Sequence, residues 1–111
     1  LQHTLFAIDK ATYELETTES ELGAAFMNAW NDLTIAEDRL YRLEDYRDAM
    51  TSVVSAYQKQ FELGQRALIN VLDVENELFS AKSSVAEERY NRIQAAYRIL
   101  SLNGTLLENL Q

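Results

Sequence analysis

Phe61-Glu62-Leu63-Gly64-Gln65-Arg66 is where the longest pattern in this sequence stops. Upstream of it, apolar residues recur in alternating steps of three and four: Leu5, Ile8, Leu15, Leu22, Phe26, Ala29, Leu33, Ala36, Leu40, Leu43, Met50, Val54, Tyr57 and Phe61. Of the 17 stripe positions, only Thr12, Glu19 and Arg47 are not apolar. That alternation keeps one seam of a helix facing a partner in a left-handed supercoil. Residues 1–63 therefore read as one helix, about 90 Å long at 1.5 Å per residue. Gly64 suits the position just past a helix end, because without a Cβ it takes the left-handed conformation freely. The turn is expected over 64–71. A second helix follows, starting somewhere in Ala67 to Asp73 and assigned to 72–103. Asn103-Gly104 reads as a second stop of the same kind, leaving a short terminal turn over 104–111. The expected fold is all-α, a long antiparallel coiled-coil hairpin.

Composition agrees. The 111 residues contain no Pro and 3 Gly, too few turn formers for a sandwich or barrel of short strands. Lys and Arg number 10 against 18 Asp and Glu, a net charge of -8. Nucleic acid and anionic lipid both require a basic face, so neither is an expected partner. No uncharged run exceeds 10 residues, at Leu22 to Asn31 and Ala49 to Gln58, about half a membrane-spanning helix. There is no Cys for disulfide or thiolate chemistry. The first residue is Leu and no signal peptide is visible, so a mature segment or an excised piece of a longer chain is expected.

The second helix carries two apolar stripes. One is Leu72, Phe79, Ala86, Tyr90, Ile93, Tyr97 and Leu100; the other is Val71, Val74, Leu78, Ala81 and Val85. A single partner needs one seam, so the broad face implies neighbours on both sides. Folding back at Gly64 sets Phe61 near Leu72, Leu40 near Ile93, and Leu33 near Leu100. The stripe from Leu5 to Ala29 then has no helix of this chain to lie against. Other chains or other segments are expected to cover it.

The segment Ala56 to Leu102 resembles the second periplasmic helical hairpin of the TolC family of outer-membrane channels. The resemblance rests on Phe61, Gly64 and Arg66, then Leu68-Ile69, then Val71-Leu72-Asp73-Val74-Glu75-Asn76-Glu77-Leu78. Glu88-Arg89-Tyr90 and Tyr97-Arg98-Ile99-Leu100 before Gly104 add to it, and Ala29-Trp30-Asn31-Asp32-Leu33 suits the family more loosely. The resemblance implies a homotrimer whose helices close into a periplasmic tunnel, this chain being a fragment of that α-barrel. It implies no barrel strands within the fragment, and a tip that docks a periplasmic adaptor (membrane fusion) protein serving an inner-membrane transporter. Efflux and type I secretion are both served by the family, and Val-Glu-Asn-Glu-Leu-Phe after the turn looks more like the secretion members.

Residue by residue, the resemblance assigns Gly64, Gln65, Arg66, Ala67 and Leu68 to an adaptor-binding tip. It assigns Phe61, Arg66, Asn70 and Asp73 to a pore gate. A guanidinium can bridge a carboxylate and carbonyls of a neighbouring helix, which suits Arg66 to a closing link; the alternative is a solvated Arg after a helix end. Asp73 matches a lumen-facing acid, three copies of which gather charge and attract cations. Alternatively it is an acid favoured by a helix N-terminus. Asn70 stands where the family has a second Asp, so the ring carries half the charge. Phe61 stands where Tyr is frequent, without its hydroxyl.

Elsewhere, Glu14, Glu16, Glu19 and Glu21 read as a solvated face. Glu44, Asp45 and Asp48 beside Arg42 and Arg47 read as surface ion pairs. Trp30, Tyr41, Tyr46, Tyr57, Tyr90 and Tyr97 read as packing residues. His3 is the sole His, and no catalytic constellation, metal motif or cofactor loop is visible, so an enzyme is not expected. The competing architecture is a stand-alone three-helix bundle, bent near Gly23 or further along the first helix. It would be compact, with a radius of gyration of ~13–14 Å.

Overall fold

A computed structural model describes residues 1–110, with side chains over 1–108. Two helices make up the fold: α1 (Gln2–Glu62) and α2 (Leu68–Leu110). They lie antiparallel in a rod of 93 × 20 × 14 Å with a radius of gyration of 25.4 Å. That is almost twice the value of a compact domain this size, so the three-helix bundle is ruled out. Gly23 sits inside α1, which runs unbroken through it; one helical glycine costs only about 1 kcal/mol, too little to interrupt 61 residues.

The α1 seam is the one the spacing predicts. Ala29, Ala36, Leu40, Met50 and Val54 are buried, with Leu22, Phe26, Leu33, Leu43 and Tyr57 half-buried between them. On α2 the buried apolar residues are Val71, Val74, Ala81, Val85, Ala95 and Ile99, and the Glu88 side chain is buried beside them. Met50, Val54 and Val74 form the tightest cluster, flanked by Val53, Tyr57 and Leu78. The other α2 stripe faces away from α1: Leu72, Phe79, Tyr90, Ile93, Tyr97 and Leu100 are all exposed. On the α2 side Val, Ala and Ile line the seam, and the aromatic side chains Phe79, Tyr90 and Tyr97 lie outside it.

Cross-helix pairs fix the register. Gln58 Nε2 donates to Glu75 Oε1 at 2.9 Å, and Arg89 Nη2 to Glu44 Oε1 at 3.1 Å. Both match the expected alignment. Toward the open end Arg98 reaches Asp32 at 3.6 Å, three residues off that alignment. Arg42 pairs with Asp38 and Arg47 with Asp48, while Asp45 has no ion pair among the described residues. Exposed pairs contribute 0–1 kcal/mol each, so the apolar seam holds the rod together. Val85, at 2% exposure, is its largest fully buried side chain. Val85→Ala is expected to cost about 1–2 kcal/mol, read as faster amide hydrogen exchange in both helices of the full-length protein. Unchanged exchange would mean that the seam is not what joins them.

Two expected boundaries are corrected. Helix α2 starts at Leu68 rather than Leu72, since nothing in Leu68-Ile69-Asn70-Val71 opposes helix and the Asn70 N–H already bonds the Ala67 carbonyl at 3.1 Å. It also runs through Gly104 to Leu110 instead of stopping at Asn103-Gly104. Leu102 and Leu106 stay half-buried on either side, which outweighs one glycine's helix penalty. Thus 105–110 is helix rather than a terminal turn, and Gln111 lies outside the described residues. The longer α2 shelters Leu22, Phe26 and Ala29, so the uncovered stripe shrinks to Leu5, Ile8 and Leu15.

Candidate functional site

The tip is built by the backbone. Leu63 is the last residue near helical geometry, with φ -85° and ψ 0°. Gly64 follows at φ 75°, the one positive φ among the described residues. The Gly64 N–H donates to the Phe61 carbonyl at 2.9 Å, and the Gln65 N–H to the Gln60 carbonyl at 2.8 Å. This crossed pair is a Schellman motif, which satisfies carbonyls that the helix end would leave open. An apolar contact usually links the residues at its two ends. Here those residues are Gln60 and Gln65, and a polar arrangement replaces that contact.

Arg66 makes it. Its Nε donates to Gln60 Oε1 at 2.8 Å, and its guanidinium carbon lies 3.8 Å from the centroid of the Tyr57 ring. The side chain is therefore not the solvated Arg of the alternative reading; it is half-buried and folded onto the last turns of α1. Tyr57, Arg66, Asn70, Asp73 and Val74 line one shallow cleft of about 220 Å3 beside the turn. Three of the four residues expected at a gate thus share a cleft. Phe61 does not line it and is 42% exposed.

The early start of α2 changes how Asp73 is read. It lies well past the first turn, which contains no acidic residue, so the helix terminus does not account for it. Neither Arg66 nor Asp73 forms an ion pair among the described residues. Of the residues expected at the tip surface, Gly64, Gln65, Ala67 and Leu68 are exposed. Leu63 and Ile69, not assigned to the tip surface from the sequence, join Leu68 in an exposed apolar tip.

Tyr57 and Gln60 are the residues that sequence reasoning missed. Tyr57 reads as a packing residue, and it does pack on the Met50 cluster, but its ring also carries Arg66. A signal for Gln60 was present: a polar pair flanking a glycine stop, where apolar partners are usual, followed at once by an arginine. Among the described residues no group of acidic, His or Cys side chains is placed to hold a metal ion, and no helix is long and apolar enough to cross a membrane.

A family model described as outer membrane efflux protein matches residues 1–105. The chain belongs to that family. It is 27% identical over 101 residues to the outer membrane protein TolC of Escherichia coli (strain K12), covering 88% of this chain and 20% of that protein. It is 20% identical over 99 residues to the outer membrane efflux protein BepC of Brucella suis biovar 1 (strain 1330), covering 89% of this chain and 22% of that one. The chain thus spans about a fifth of the length of these relatives. No solved structure gives a significant match. Membership in the efflux family accords with a helical hairpin that has no strand among the described residues, and with the motif around Gly64.

Proposed function

We propose that this chain is a periplasmic tunnel segment of a trimeric outer-membrane channel for efflux or type I secretion, and that its tip docks an adaptor and gates the pore. The observation that carries this reading is the shared cleft of Arg66, Asn70 and Asp73 beside a glycine-capped turn, in a member of the efflux family. The outward stripe of Leu72, Phe79, Tyr90, Ile93, Tyr97 and Leu100 supports it, because a closed ring of helices buries a second face on every helix. So does the bare seam at Leu5, Ile8 and Leu15.

The partners are two further copies of the full-length protein, a periplasmic adaptor at Gly64 to Leu68, and through it an inner-membrane transporter. The work is passive conduction controlled at the tip, with no cofactor and no catalysis. Arg66 links protomers, and Asp73 places a ring of three carboxylates in the lumen, with Asn70 adding polarity without charge. A carboxylate ring concentrates cations at a constriction. Asp73→Asn in the full-length channel is therefore expected to weaken block by multivalent cations about tenfold or more, because like charges act together on a multivalent ion. Block at the wild-type concentration in planar bilayers would remove Asp73 from the lumen.

A further inference from the structure

We infer that Tyr57 and Gln60 are positioning residues for Arg66, holding its guanidinium in one orientation so that its remaining donors are presented to a neighbouring chain. This inference rests on the gate reading above. Tyr57 and Gln60 stand three residues apart near the end of α1, on one side of the helix. The Schellman turn brings Arg66 back over that side. Gln60 is fixed twice: its carbonyl accepts from Gln65 within the turn, and its side-chain oxygen accepts from Arg66 Nε.

The two contacts on Arg66 do not compete with a third. A ring holds the face of a guanidinium, whereas its N–H groups all point outward in its plane. Of five N–H donors, Nε–H is used by Gln60 and four remain on the terminal nitrogens. Asp73 lines the same cleft, yet the two form no ion pair. Arg66 is therefore oriented and half-buried, with four donors left for an acceptor outside this hairpin. A neutral amide at position 60 suits this arrangement, because it orients the guanidinium without neutralising it. Much of the conformational cost of a protomer link is then met within one chain before the link forms.

The test is resting conductance of the full-length channel in planar bilayers, with trimer yield checked for every variant. Tyr57→Leu and Gln60→Ala are each expected to raise it at least about threefold. Tyr57→Phe keeps the ring and is expected to stay at the wild-type level. Adding Tyr57→Leu to Arg66→Ala is expected to change nothing further, since the ring acts only through the arginine. A merely structural Tyr57 would instead add its full effect in the double variant, and that result overturns the inference. So does wild-type conductance in Tyr57→Leu while Arg66→Ala opens the channel, which leaves the gate reading standing. If Arg66→Ala itself has no effect, the gate reading fails and this inference falls with it.

Discussion

Replacing Arg66 by Ala in the full-length channel is expected to raise resting conductance at least about tenfold. In the proposed trimer each protomer would lose charge-assisted hydrogen bonds, worth about 1.5–3 kcal/mol apiece, and the tip would hold three copies. About 1.4 kcal/mol is already a tenfold change in an equilibrium between shut and open. The effect should exceed that of Tyr57→Leu or Gln60→Ala, which disturb the orientation of the guanidinium and leave its charge. Conductance at the wild-type level in planar bilayers would mean that Arg66, though clamped at the tip, holds nothing shut.

Gly64→Val is expected to be the other severe change, weakening adaptor binding by the full-length protein about tenfold or more. The reason is conformational. Nothing lies within 4 Å of where a Cβ would stand, so the added side chain meets no obstacle. The backbone at φ 75° is the obstacle, costing an L-residue about 1–2 kcal/mol and a β-branched one more. Relieving that strain sacrifices the Gly64 and Gln65 hydrogen bonds, and with them the placement of Arg66 and the exposed Leu63, Leu68 and Ile69. Wild-type affinity by calorimetry would count against the tip as the docking surface. Gly104→Ala is the matched control. Gly104 lies inside α2 with open space around it, so alanine there is expected to leave adaptor binding unchanged and to stabilise the helix by up to about 1 kcal/mol.

Those two glycines mark how far the sequence could be read. Each follows an amphipathic run and looks like a stop. At Gly64 the seam has reached its end and polar residues follow; at Gly104 the seam continues through Leu102 and Leu106 and carries the helix on. Local propensity could not separate them, because burial of the flanking leucines decides. The α1 stripe was legible, and the structure packs it against α2 from Leu22 to Tyr57, since alternating three and four admits one seam. On α2 two stripes competed, and the bulkier one, with Phe79, Tyr90 and Tyr97, turned outward. Seam occupancy depends on how closely two backbones approach, which favours Val and Ala and which no count of apolar residues reveals.

The site was legible in part for a similar reason. Arg66, Asn70 and Asp73 could be marked only through the family resemblance, and the structure gathers them in one cleft. Their support could not be read the same way. Gln60 and Arg66 are six residues apart and meet only because the turn crosses its own helix end. Tyr57 has a seam position that fully explains an aromatic residue, which hides its second contact.

The most direct measurement is a cryo-electron microscopy structure of the full-length protein. The proposed tunnel requires three Gly64 turns gathered about the threefold axis at the end furthest from the membrane, Asp73 lining the lumen, and Leu72, Phe79 and Tyr90 buried against neighbouring helices. A map with the Gly64 turns splayed away from the axis in every state, or with the Asp73 side chains on the outer wall, would contradict it.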